Sequence, residues 1–460
     1  MRRRVQRVHF VGIGGVGMSG LAEILHVQGY SVSGSDLRES TATRRMQELG
    51  MRIAIGHAAE AVTGADVVVF SSAVSRANPE LRAAEAAGIP VIPRAELLSE
   101  LMRTKYGVAI GGSAGKTTTT SMTAEVLAAG GLDPTTIVGG RVISLGANSR
   151  LGEGEVLVAE ADESDGSFLR LVPAVVVITN IDRDHLDHYG SFEALHDAFV
   201  QFANRVPFYG AAVLCIDDPH VQTLLPQVTR RVWTYGLSPQ ADVAAERVEA
   251  VGMGMRFAVR ARGKSLGRFS LRVPGRHNVQ NALAAVAVGL EFDVPVPRIA
   301  EALAGFRGVE RRFEIKGERD GITVIDDYSH HPAKVRAALA AAREGLGRRI
   351  VVAYQPHRYT RTRDVFDELA RAFHDADVVI LTEIYAAGEE KIAGVSAAGL
   401  AEAVRACGHC AVEFAPEKSA IVPRLRALTR PGDLVFFMGA GDIGRLAGEF
   451  LAPEGGSPGR

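Results

Sequence analysis

The sequence has little cysteine, almost no net charge and no long apolar run. Its 460 residues include three cysteines, which are too few for a disulfide framework and typical of a reducing compartment. A net charge of −1 provides no field that would attract nucleic acid or a membrane surface. No apolar run approaches the roughly 20 residues that span a bilayer. We therefore expect a cytoplasmic protein that binds no nucleic acid and inserts into no membrane, and no pattern identifies a protein partner.

Apolar residues are plentiful, at 47% of the chain, and they form strand-like runs that alternate with helical patterns. Such alternation is typical of α/β domains with parallel sheets. The length of the chain suggests roughly three domains. We predict that these domains comprise residues 1–105, 106–307 and 308–460.

The stretch from Val108 to Thr120 predicts a phosphate-binding loop between a buried strand and a helix. Backbone N–H groups at such a helix start point at the anion, Lys116 can reach the outer phosphates of ATP, and the Thr117 hydroxyl can ligate Mg²⁺. The general pattern G-x-x-x-x-G-K-[ST] is met only in part, because its first glycine would fall on Ile110. A helix start with a chance lysine is the alternative. The predicted ATP-binding residues of the loop are Gly112, Ser113, Ala114, Gly115, Lys116, Thr117 and Thr118.

A second glycine loop follows the strand-like residues Val8–Val11 and has the spacing G-x-G-x-x-G, with a helical pattern after it. The spacing predicts a pyrophosphate-binding turn, and Asp36 lies close to where a ribose-binding acid is expected. NAD and a UDP-sugar both fit, because the loop recognises phosphate and not nicotinamide. A tight turn without a ligand is the third interpretation. The candidate residues are Gly12, Gly14, Gly15, Gly17, Asp36, and Ser71 and Ser72 at the end of a later strand.

Acidic residues follow two apolar strands of the central region. The first strand ends in Glu160-Ala-Asp-Glu-Ser-Asp165, and the second is followed by Asp182-Arg-Asp-His185. Both strand ends would open on the same edge of a parallel sheet as the phosphate loop. Carboxylates beside a triphosphate are the usual way to hold Mg²⁺, which prefers oxygen ligands. Each run alone is also compatible with a solvated loop, and His185 alone with a helix cap.

Further polar side chains open or end elements of the last two domains. Asn278 and Asn281 are spaced to share one helix face, where they can read a purine edge, although Asn278 is equally compatible with a helix cap. In the last domain, strands end in loops that carry His330, His357, Arg358 and Arg361. These side chains can bind phosphate or carboxylate, or form a solvated charged surface.

Nine motifs in one order carry a resemblance that covers nearly the whole chain. They are Gly12-Ile-Gly-Gly-Val-Gly-Met-Ser-Gly20, Gly115-Lys-Thr-Thr-Thr-Thr120, Glu160-Ala-Asp-Glu-Ser-Asp-Gly-Ser-Phe168, Asn180-Ile-Asp-Arg-Asp-His-Leu-Asp187, His277-Asn-Val-Gln-Asn281, Arg311-Arg-Phe-Glu314, Asp326-Asp-Tyr-Ser-His-His-Pro332, Gln355-Pro-His-Arg-Tyr359 and Tyr385-Ala-Ala-Gly-Glu389. With them the sequence resembles the Mur ligases of peptidoglycan synthesis, and within that family the branch that adds L-alanine.

The resemblance implies a Rossmann-like UDP-sugar-binding domain, a central P-loop ATPase-like domain with a mostly parallel sheet, and a C-terminal Rossmann-like domain that binds the amino acid. It implies that ATP phosphorylates the lactyl carboxylate of UDP-N-acetylmuramate and that L-alanine attacks the acyl phosphate. Lys116, Glu160 and His185 would be catalytic. Thr117 would bind the magnesium of ATP, and Glu160 and His185 would hold a second ion that orients the acyl phosphate. Asn278 and Asn281 would read adenine. His330, His357, Arg358 and Arg361 would bind the amino acid and phosphate.

The sequence departs from the family pattern at one position and lacks one of its devices. The family usually has Thr-His before Gly-Lys-Thr, whereas this chain has Ser113-Ala114. No lysine lies between Lys116 and Lys264, so the carbamoylated lysine of other Mur ligases has no counterpart. Three rival interpretations remain: a relative that attaches murein tripeptide to the same nucleotide, a nicotinamide oxidoreductase with a regulatory ATP site, and a nucleotide-sensing module without catalysis.

Overall fold

A computed structural model describes residues 4–71, 73–143 and 147–453 of the chain. Within these residues the chain forms sheets of five, ten and six strands, with helices between many of the strands. The predicted α/β class is confirmed. The chain divides into two compact units, one of Met1–Glu246, Ala258–Phe269 and Gln280–Phe306 and the other of Arg247–Phe257, Ser270–Val279 and Arg307–Arg460.

The first sheet is parallel, with the strand order β3-β2-β1-β4-β5. Its strands are β1 (Arg7–Val11), β2 (Ser31–Asp36), β3 (Arg52–Ile55), β4 (Val67–Phe70) and β5 (Val91–Pro93), and its helices are α1 (Val16–Val27), α2 (Thr41–Glu48), α3 (Pro79–Ala86) and α4 (Arg94–Met102). The strand order reverses between β1 and β4. Ligands of open α/β sheets bind at such a switch point, so the loops after β1 and β4 are where a ligand is expected.

The second sheet has the order β15-β14-β13-β12-β11-β10-β6-β9-β7-β8. Its strands are β6 (Tyr106–Gly111), β7 (Thr135–Val142), β8 (Ala147–Arg150), β9 (Val156–Glu160), β10 (Val175–Ile178), β11 (Ala211–Cys215), β12 (Val232–Gly236), β13 (Val243–Val251), β14 (Gly254–Ala261) and β15 (Lys264–Leu271). The helices are α5 (Lys116–Ala129), α6 (Leu186–Tyr189), α7 (Phe192–Asn204), α8 (Pro219–Gln222), α9 (Arg276–Glu291) and α10 (Val296–Gly305). Strand β6, which leads into the phosphate loop, lies between β9 and β10 and is parallel to both.

The third sheet has the order β16-β17-β21-β18-β19-β20, and only the edge strand β16 runs antiparallel to its neighbour. Its strands are β16 (Glu314–Arg319), β17 (Ile322–Asp327), β18 (Ile350–Tyr354), β19 (Val378–Leu381), β20 (Val412–Phe414) and β21 (Leu434–Met438). The helices are α11 (Pro332–Leu346), α12 (Tyr359–Asp364), α13 (Phe366–Ala370), α14 (Ala397–Ala406), α15 (Ile421–Leu428) and α16 (Arg445–Leu451).

The apolar runs of the sequence become strands that are buried on both faces. In the third sheet, Val352 and Phe436 pack into one apolar cluster, whereas the adjacent Val351 and Phe437 pack into another. Alternate residues of a strand point to opposite faces, so a continuous apolar run fills two layers at once. In the first unit, one apolar cluster contains residues of both the first and the second sheet, which joins the two sheets through a common core.

The longest helix of the described residues is α9, with 16 residues. None of the described helices is long and apolar enough to cross a bilayer.

We expect Gly112→Ala to destabilise the central sheet by about 2–5 kcal/mol. Gly112 has a φ of +130°, and a Cβ there would lie 2.1 Å from Thr179 Oγ1 and 2.9 Å from the Asn180 carbonyl oxygen. Gly131→Ala is the matched control, because Gly131 has a φ of +80° but open space around it. The fluorescence of Trp233, the single tryptophan and part of β12, reports thermal unfolding of this sheet. Equal melting temperatures for the two variants would contradict the steric argument.

Candidate active site

Neighbouring strand ends bring the predicted phosphate loop together with acids and amides from distant parts of the sequence. In the sheet register, Ile110 pairs with Glu160 on one side, and Gly111 pairs with Ile178 on the other. The loop after Gly111 therefore lies between the end of β9 and the segment that follows β10. The sequence predicted this convergence, because the ends of parallel strands open on the same edge of a sheet.

The phosphate loop is braced by the segment after β10. The Ser113 N–H donates to the Asn180 carbonyl oxygen at 3.0 Å, and the Ala114 N–H donates to Asn180 Oδ1 at 2.8 Å. The Thr179 hydroxyl donates to the Ala114 carbonyl oxygen at 2.6 Å. Sequence reasoning expected the loop N–H groups to face the anion, but those of Ser113 and Ala114 are satisfied by Asn180 in this structure. The first turn of α5, whose N–H groups have no carbonyl one turn back, supplies the donors that remain for a phosphate.

Lys116, the first residue of α5, turns back over the loop. Its ammonium donates to the Gly112 carbonyl oxygen at 2.6 Å and lies 2.8–2.9 Å from the two carboxylate oxygens of Glu163. Burial would lower the pKa of Lys116, but the negative charges of Glu163, Glu160 and Asp162 outweigh it and raise the pKa. Lys116 is therefore charged at neutral pH, in a place where an incoming phosphate can replace Glu163 as its partner.

Glu163 belongs to this site, although the predicted site residues did not include it. Its side chain is buried, burial raises its pKa against the opposing charge of Lys116, and the Tyr189 hydroxyl donates to its backbone carbonyl at 2.6 Å. The motif that starts at Glu160 contains it, but spacing alone cannot tell which acid faces the lysine. The strand end decides this: Glu160 is the last residue of β9, and the chain turns before it reaches Glu163.

Thr117 and Glu160 form the oxygen-rich part of the site. The Thr117 hydroxyl donates to the Glu160 carboxylate, with distances of 3.1 and 3.3 Å to its two oxygens. Glu160 Oε2 also accepts from the Gly139 N–H at 2.8 Å, which fixes the carboxylate. A hydroxyl beside one fixed carboxylate fits Mg²⁺, which commonly binds one or two carboxylates together with waters and substrate phosphates.

His185 lies beside Glu163 and Asp184, and the structure gives it no contact with Glu160. Its Nε2 is 3.9 Å from Glu163 Oε1 and 3.7 Å from Asp184 Oδ2. His185 is the residue that precedes α6, and its backbone is left-handed, with a φ of +59°. In the part of the chain that the structure describes, no three acidic, histidine or cysteine side chains form a ready metal cluster. The predicted pairing of Glu160 with His185 around one metal stays a prediction.

The first glycine loop lies at the switch point of its sheet, and its backbone is hydrogen-bonded to β2. The N–H groups of Gly12 and Ile13 both donate to the Ser35 carbonyl oxygen, at 2.9 and 3.0 Å. The Gly14 N–H donates to Asp36 Oδ2 at 2.8 Å, and a Cβ on Gly14 would lie 2.9 Å from that oxygen. Asp36, predicted as a ribose-binding acid, binds the loop backbone in this structure, and its role in ribose binding stays a prediction.

The remaining residues predicted for this loop differ in how much the structure says of them. Gly15 is the residue before the first turn of α1, and Gly17 lies within that turn. Ser71 follows β4 and lies against Gly12, where a Cβ would be 3.5 Å from the Ser71 Cβ. Ser72 lies outside the described residues.

A buried carboxylate supports the strand beneath this loop. Glu80 accepts from the Ser35 hydroxyl at 2.7 Å and lies 3.0 Å from His9 Nε2 and 3.3 Å from His57 Nδ1. Burial would raise the pKa of Glu80, but the hydrogen bonds from His9 and Ser35 lower it. The network fixes Ser35, whose carbonyl accepts both loop N–H groups. No short sequence motif predicts this network, because its members are spread over about 70 residues.

The two asparagines predicted to read adenine lie in different surroundings. The Thr119 hydroxyl donates to Asn281 Oδ1 at 3.1 Å, and a Cβ on Gly115 would lie 2.6 Å from that oxygen, so Asn281 adjoins the phosphate loop. Asn278 belongs to the second compact unit, where its amide donates to the Pro274 carbonyl oxygen at 2.7 Å. A role for either in adenine binding stays a prediction.

The four residues predicted in the last domain come together at the ends of β17 and β18. His330 and His357 have ring centroids 5.9 Å apart, and Arg361 Nη1 lies 3.1 Å from His357 Nδ1. The His357 ring stacks on Tyr385, 5.6 Å away and nearly parallel. Arg358 lies 3.9 Å from Glu389. Histidines and arginines at one sheet edge form a basic, partly buried surface that suits a phosphate or a carboxylate.

We expect the His357 imidazole to stay neutral down to about pH 5, because burial and the nearby charges of Arg361 and Arg358 lower its pKa to about 4, despite the opposing effect of Glu389. Since the pKa in the folded state lies below that of an unfolded chain, His357 lowers stability as the pH falls from about 6.5 towards 4. Titration of the histidine ring protons by NMR measures this, with His357→Gln assigning the signal. A midpoint near 6.5 would contradict the burial argument.

The fold and the site together define a nucleotide-binding α/β protein of the P-loop type, with a second glycine loop on a separate parallel sheet. Family models match most of the chain: "Mur ligase family, catalytic domain" at residues 7–106, "Mur ligase middle domain" at 110–289, and "Mur ligase, glutamate ligase domain" at 311–441. The chain belongs to the Mur ligase family, and it is an ATP-dependent ligase.

Similar proteins cover the chain from end to end. A UDP-N-acetylmuramate--L-alanine ligase from Sorangium cellulosum is 58% identical over 445 residues, which are 96% of this chain and 95% of that protein. One from Geobacter sp. is 53% identical over 98% of both chains. The crystal structure of a UDP-N-acetylmuramate-alanine ligase from Thermotoga maritima superposes with a TM-score of 0.82 at 31% identity, covering 97% of this chain and 98% of that one. A murein peptide ligase from Psychrobacter arcticus shares the fold, with a TM-score of 0.71 at 24% identity over 97% and 98% of the two chains.

Proposed function

We propose that this protein catalyses the ATP-dependent ligation of L-alanine to the lactyl carboxylate of UDP-N-acetylmuramate, giving UDP-N-acetylmuramoyl-L-alanine, ADP and phosphate. The observation that carries the proposal is the end-to-end similarity to enzymes of that name, at 52–58% identity. The reaction would be the first amino-acid addition in peptidoglycan precursor synthesis, and we infer that it takes place in the cytoplasm.

The chemistry proceeds in two balanced steps. A lactyl carboxylate oxygen attacks the γ-phosphorus of ATP, and the bond from that phosphorus to the β-phosphate oxygen breaks. The products of this step are ADP and an acyl phosphate of the nucleotide-sugar. The neutral amine of L-alanine then attacks the carbonyl carbon and passes through a tetrahedral intermediate. Phosphate leaves with the carboxylate oxygen that attacked first, and the amide nitrogen loses a proton. Two anions must meet in the first step, so fixed positive charge at the γ-phosphate is the main requirement.

The residues of the phosphate loop can meet that requirement. Lys116 would exchange its contact with Glu163 for the outer phosphates of ATP, and the first turn of α5 would bind phosphate oxygens with its N–H groups, including those of Thr117 and Thr118. Glu163 would hold the ammonium in place until ATP arrives. Ala114 and Ser113 would shape the loop through their contacts with Asn180.

The donor set at Thr117 and Glu160 fits Mg²⁺, and we infer that Thr117 binds the magnesium of ATP while Glu160 and His185 hold a second ion. Bound there, the metal would neutralise charge on the phosphoryl group during transfer. The chain's own contribution is to fix the donors: the Gly139 N–H holds Glu160, and α5 holds Thr117.

The other predicted residues are assigned to the remaining substrates. We infer that residues 1–105 bind the UDP-sugar through Gly12, Gly14, Gly15 and Gly17, with Asp36, Ser71 and Ser72 beside the loop. Residues 106–307 would bind ATP, with Asn281 and Asn278 at the adenine. Residues 308–460 would bind L-alanine and the departing phosphate through His330, His357, Arg358 and Arg361. Water must be kept from the acyl phosphate, which hydrolyses readily.

Phosphate release by the purified protein tests the function. ATP and UDP-N-acetylmuramate are supplied with L-alanine, L-serine, glycine or the murein tripeptide, and product masses are recorded. We expect release that requires both the nucleotide-sugar and an amino acid, fastest with L-alanine. Release with the tripeptide alone would replace the proposal with that of a murein peptide ligase, and absence of release with every acceptor would leave a nucleotide-binding module.

A further inference from the structure

Arg94, which no motif singled out, lies between the first glycine loop and the acids of the phosphate site. It is the first residue of α4, and its side chain is 23% exposed. A Cβ on Gly17 would lie 2.9 Å from Arg94 Nη1 and 3.2 Å from its Cζ. The guanidinium therefore occupies the space beside Gly17 that a larger residue would fill, and it rests against the first turn of α1.

Among the described residues, Arg94 has one ion-pair partner, and that partner is distant. Its guanidinium donates no hydrogen bond to any residue that the structure describes, and its ion pair with Asp162 has a long N–O distance of 3.6 Å. The N-terminus of the 12-residue helix α1 carries partial positive charge, which disfavours a cation nearby. A planar guanidinium with five donors that lies against a helix start and a glycine loop is complementary to a phosphate group.

The surroundings connect this anion position to the chemistry of the central sheet. Arg94 lines a small cavity together with Glu160, Asp162 and the apolar Leu98 and Phe168. Glu160 belongs to the proposed metal site, and Asp162 is one of the charges that raise the pKa of Lys116. A group bound by Arg94 therefore lies between the first glycine loop and the proposed metal site, where the carboxylate would be activated.

We propose that Arg94 is a substrate-binding residue that takes the diphosphate of the UDP-linked substrate, leaving Asp162 as it does so. The inference rests on the proposed nucleotide-sugar substrate. The diphosphate is the anion that the adjacent glycine loop suits, and Arg94 touches that loop at Gly17. Such a contact would anchor the substrate where its sugar and lactyl group extend towards Glu160.

Binding of UDP, measured by calorimetry without turnover, tests the assignment. We expect Arg94→Gln to raise the Kd of UDP and of UDP-N-acetylmuramate by the same factor, about tenfold to hundredfold, since hydrogen bonds to a charged group are lost. Arg94→Lys keeps the charge but loses the planar fork, so its Kd should lie between those of the wild type and Arg94→Gln. Weakening of UDP-N-acetylmuramate alone would assign Arg94 to the lactyl carboxylate and overturn the proposal.

Two further variants separate binding from a structural role. Arg170 is the matched control: it pairs with Glu96 of α4 at the same 3.6 Å but is exposed, and Arg170→Gln should leave the Kd of UDP within about twofold. Asp162→Asn should bind UDP no more weakly than the wild type, because Asp162 competes for Arg94. If Asp162→Asn weakens UDP binding as Arg94→Gln does, the pair is structural and the proposal fails.

The outcome also separates this inference from the proposed function. A wild-type protein that binds no UDP would contradict the nucleotide-sugar substrate itself. A wild-type protein that binds UDP, with an unchanged Kd in Arg94→Gln and Arg94→Lys, would contradict only the role of Arg94. Should Arg94→Gln melt at a lower temperature than the wild type, Arg94→Lys decides the question, because it preserves the charge and most of the side-chain packing.

Discussion

Lys116→Ala is expected to lower the ligation rate about 10³-fold while UDP binding persists, because preorganised positive charge at a transferring phosphoryl group typically accounts for such factors. The Lys116 ammonium is the one cation that the described structure places inside the loop, within 2.6 Å of the Gly112 carbonyl oxygen. Its removal also leaves Glu163 as a buried acid without its partner. Single-turnover rates of phosphate release, together with calorimetry for UDP, measure both effects.

Lys105→Ala is the matched control for the loss of a partly buried ammonium in the same compact unit. The Lys105 ammonium donates to the carbonyl oxygens of Gly152 and Gly154, at 3.2 and 2.5 Å, and burial lowers its pKa. We expect this variant to melt at a lower temperature but to turn over at a rate close to that of the wild type below its melting point. Loss of UDP binding in Lys116→Ala would show that the two nucleotide loops are not separate sites.

Glu160→Gln is expected to slow the reaction about 10²-fold or more and to raise the magnesium concentration needed for half-maximal rate, since the charge that would hold the metal is removed at constant shape. The amide can still accept from the Thr117 hydroxyl and the Gly139 N–H, so the loop should keep its structure. Initial rates over a series of magnesium concentrations measure the change.

Asp165→Asn serves as the control for a carboxylate in the same acidic run. Asp165 accepts from the Ser167 N–H at 3.0 Å, and an asparagine can accept the same bond. We expect its rate and its magnesium dependence to stay within about threefold of the wild type. An unchanged magnesium dependence in Glu160→Gln would remove Glu160 from the metal site.

The parts of this protein that could be predicted from its sequence are those encoded by local pattern. Apolar runs that end in glycine or acid predicted the strands, and Gly-Lys-Thr after such a run predicted the start of α5 at Lys116. Parallel strands share an edge, so the meeting of the loop with the acid at the end of β9 also followed.

The parts that could not be predicted depend on side-chain directions and on pairs far apart in sequence. Asn180 accepts hydrogen bonds from the N–H groups of Ser113 and Ala114, which lie 66 or more residues away in the sequence, and no local pattern encodes these contacts. Glu163 rather than Glu160 faces Lys116, because the chain turns after β9. Arg94 reaches Gly17 because α4 packs beside α1, although the two helices are far apart in the sequence. Each depends on tertiary packing that spacing rules do not contain.

The central claim is that ATP activates the carboxylate of the nucleotide-sugar as an acyl phosphate. A heavy-oxygen label in the lactyl carboxylate of UDP-N-acetylmuramate tests it most directly, because the oxygen that attacks the γ-phosphorus must leave with phosphate. When both carboxylate oxygens are labelled, mass spectrometry should find one labelled oxygen in each inorganic phosphate released with L-alanine. Phosphate free of label, released at the same rate as the amide product, would show that the carboxylate was never phosphorylated and would contradict the account.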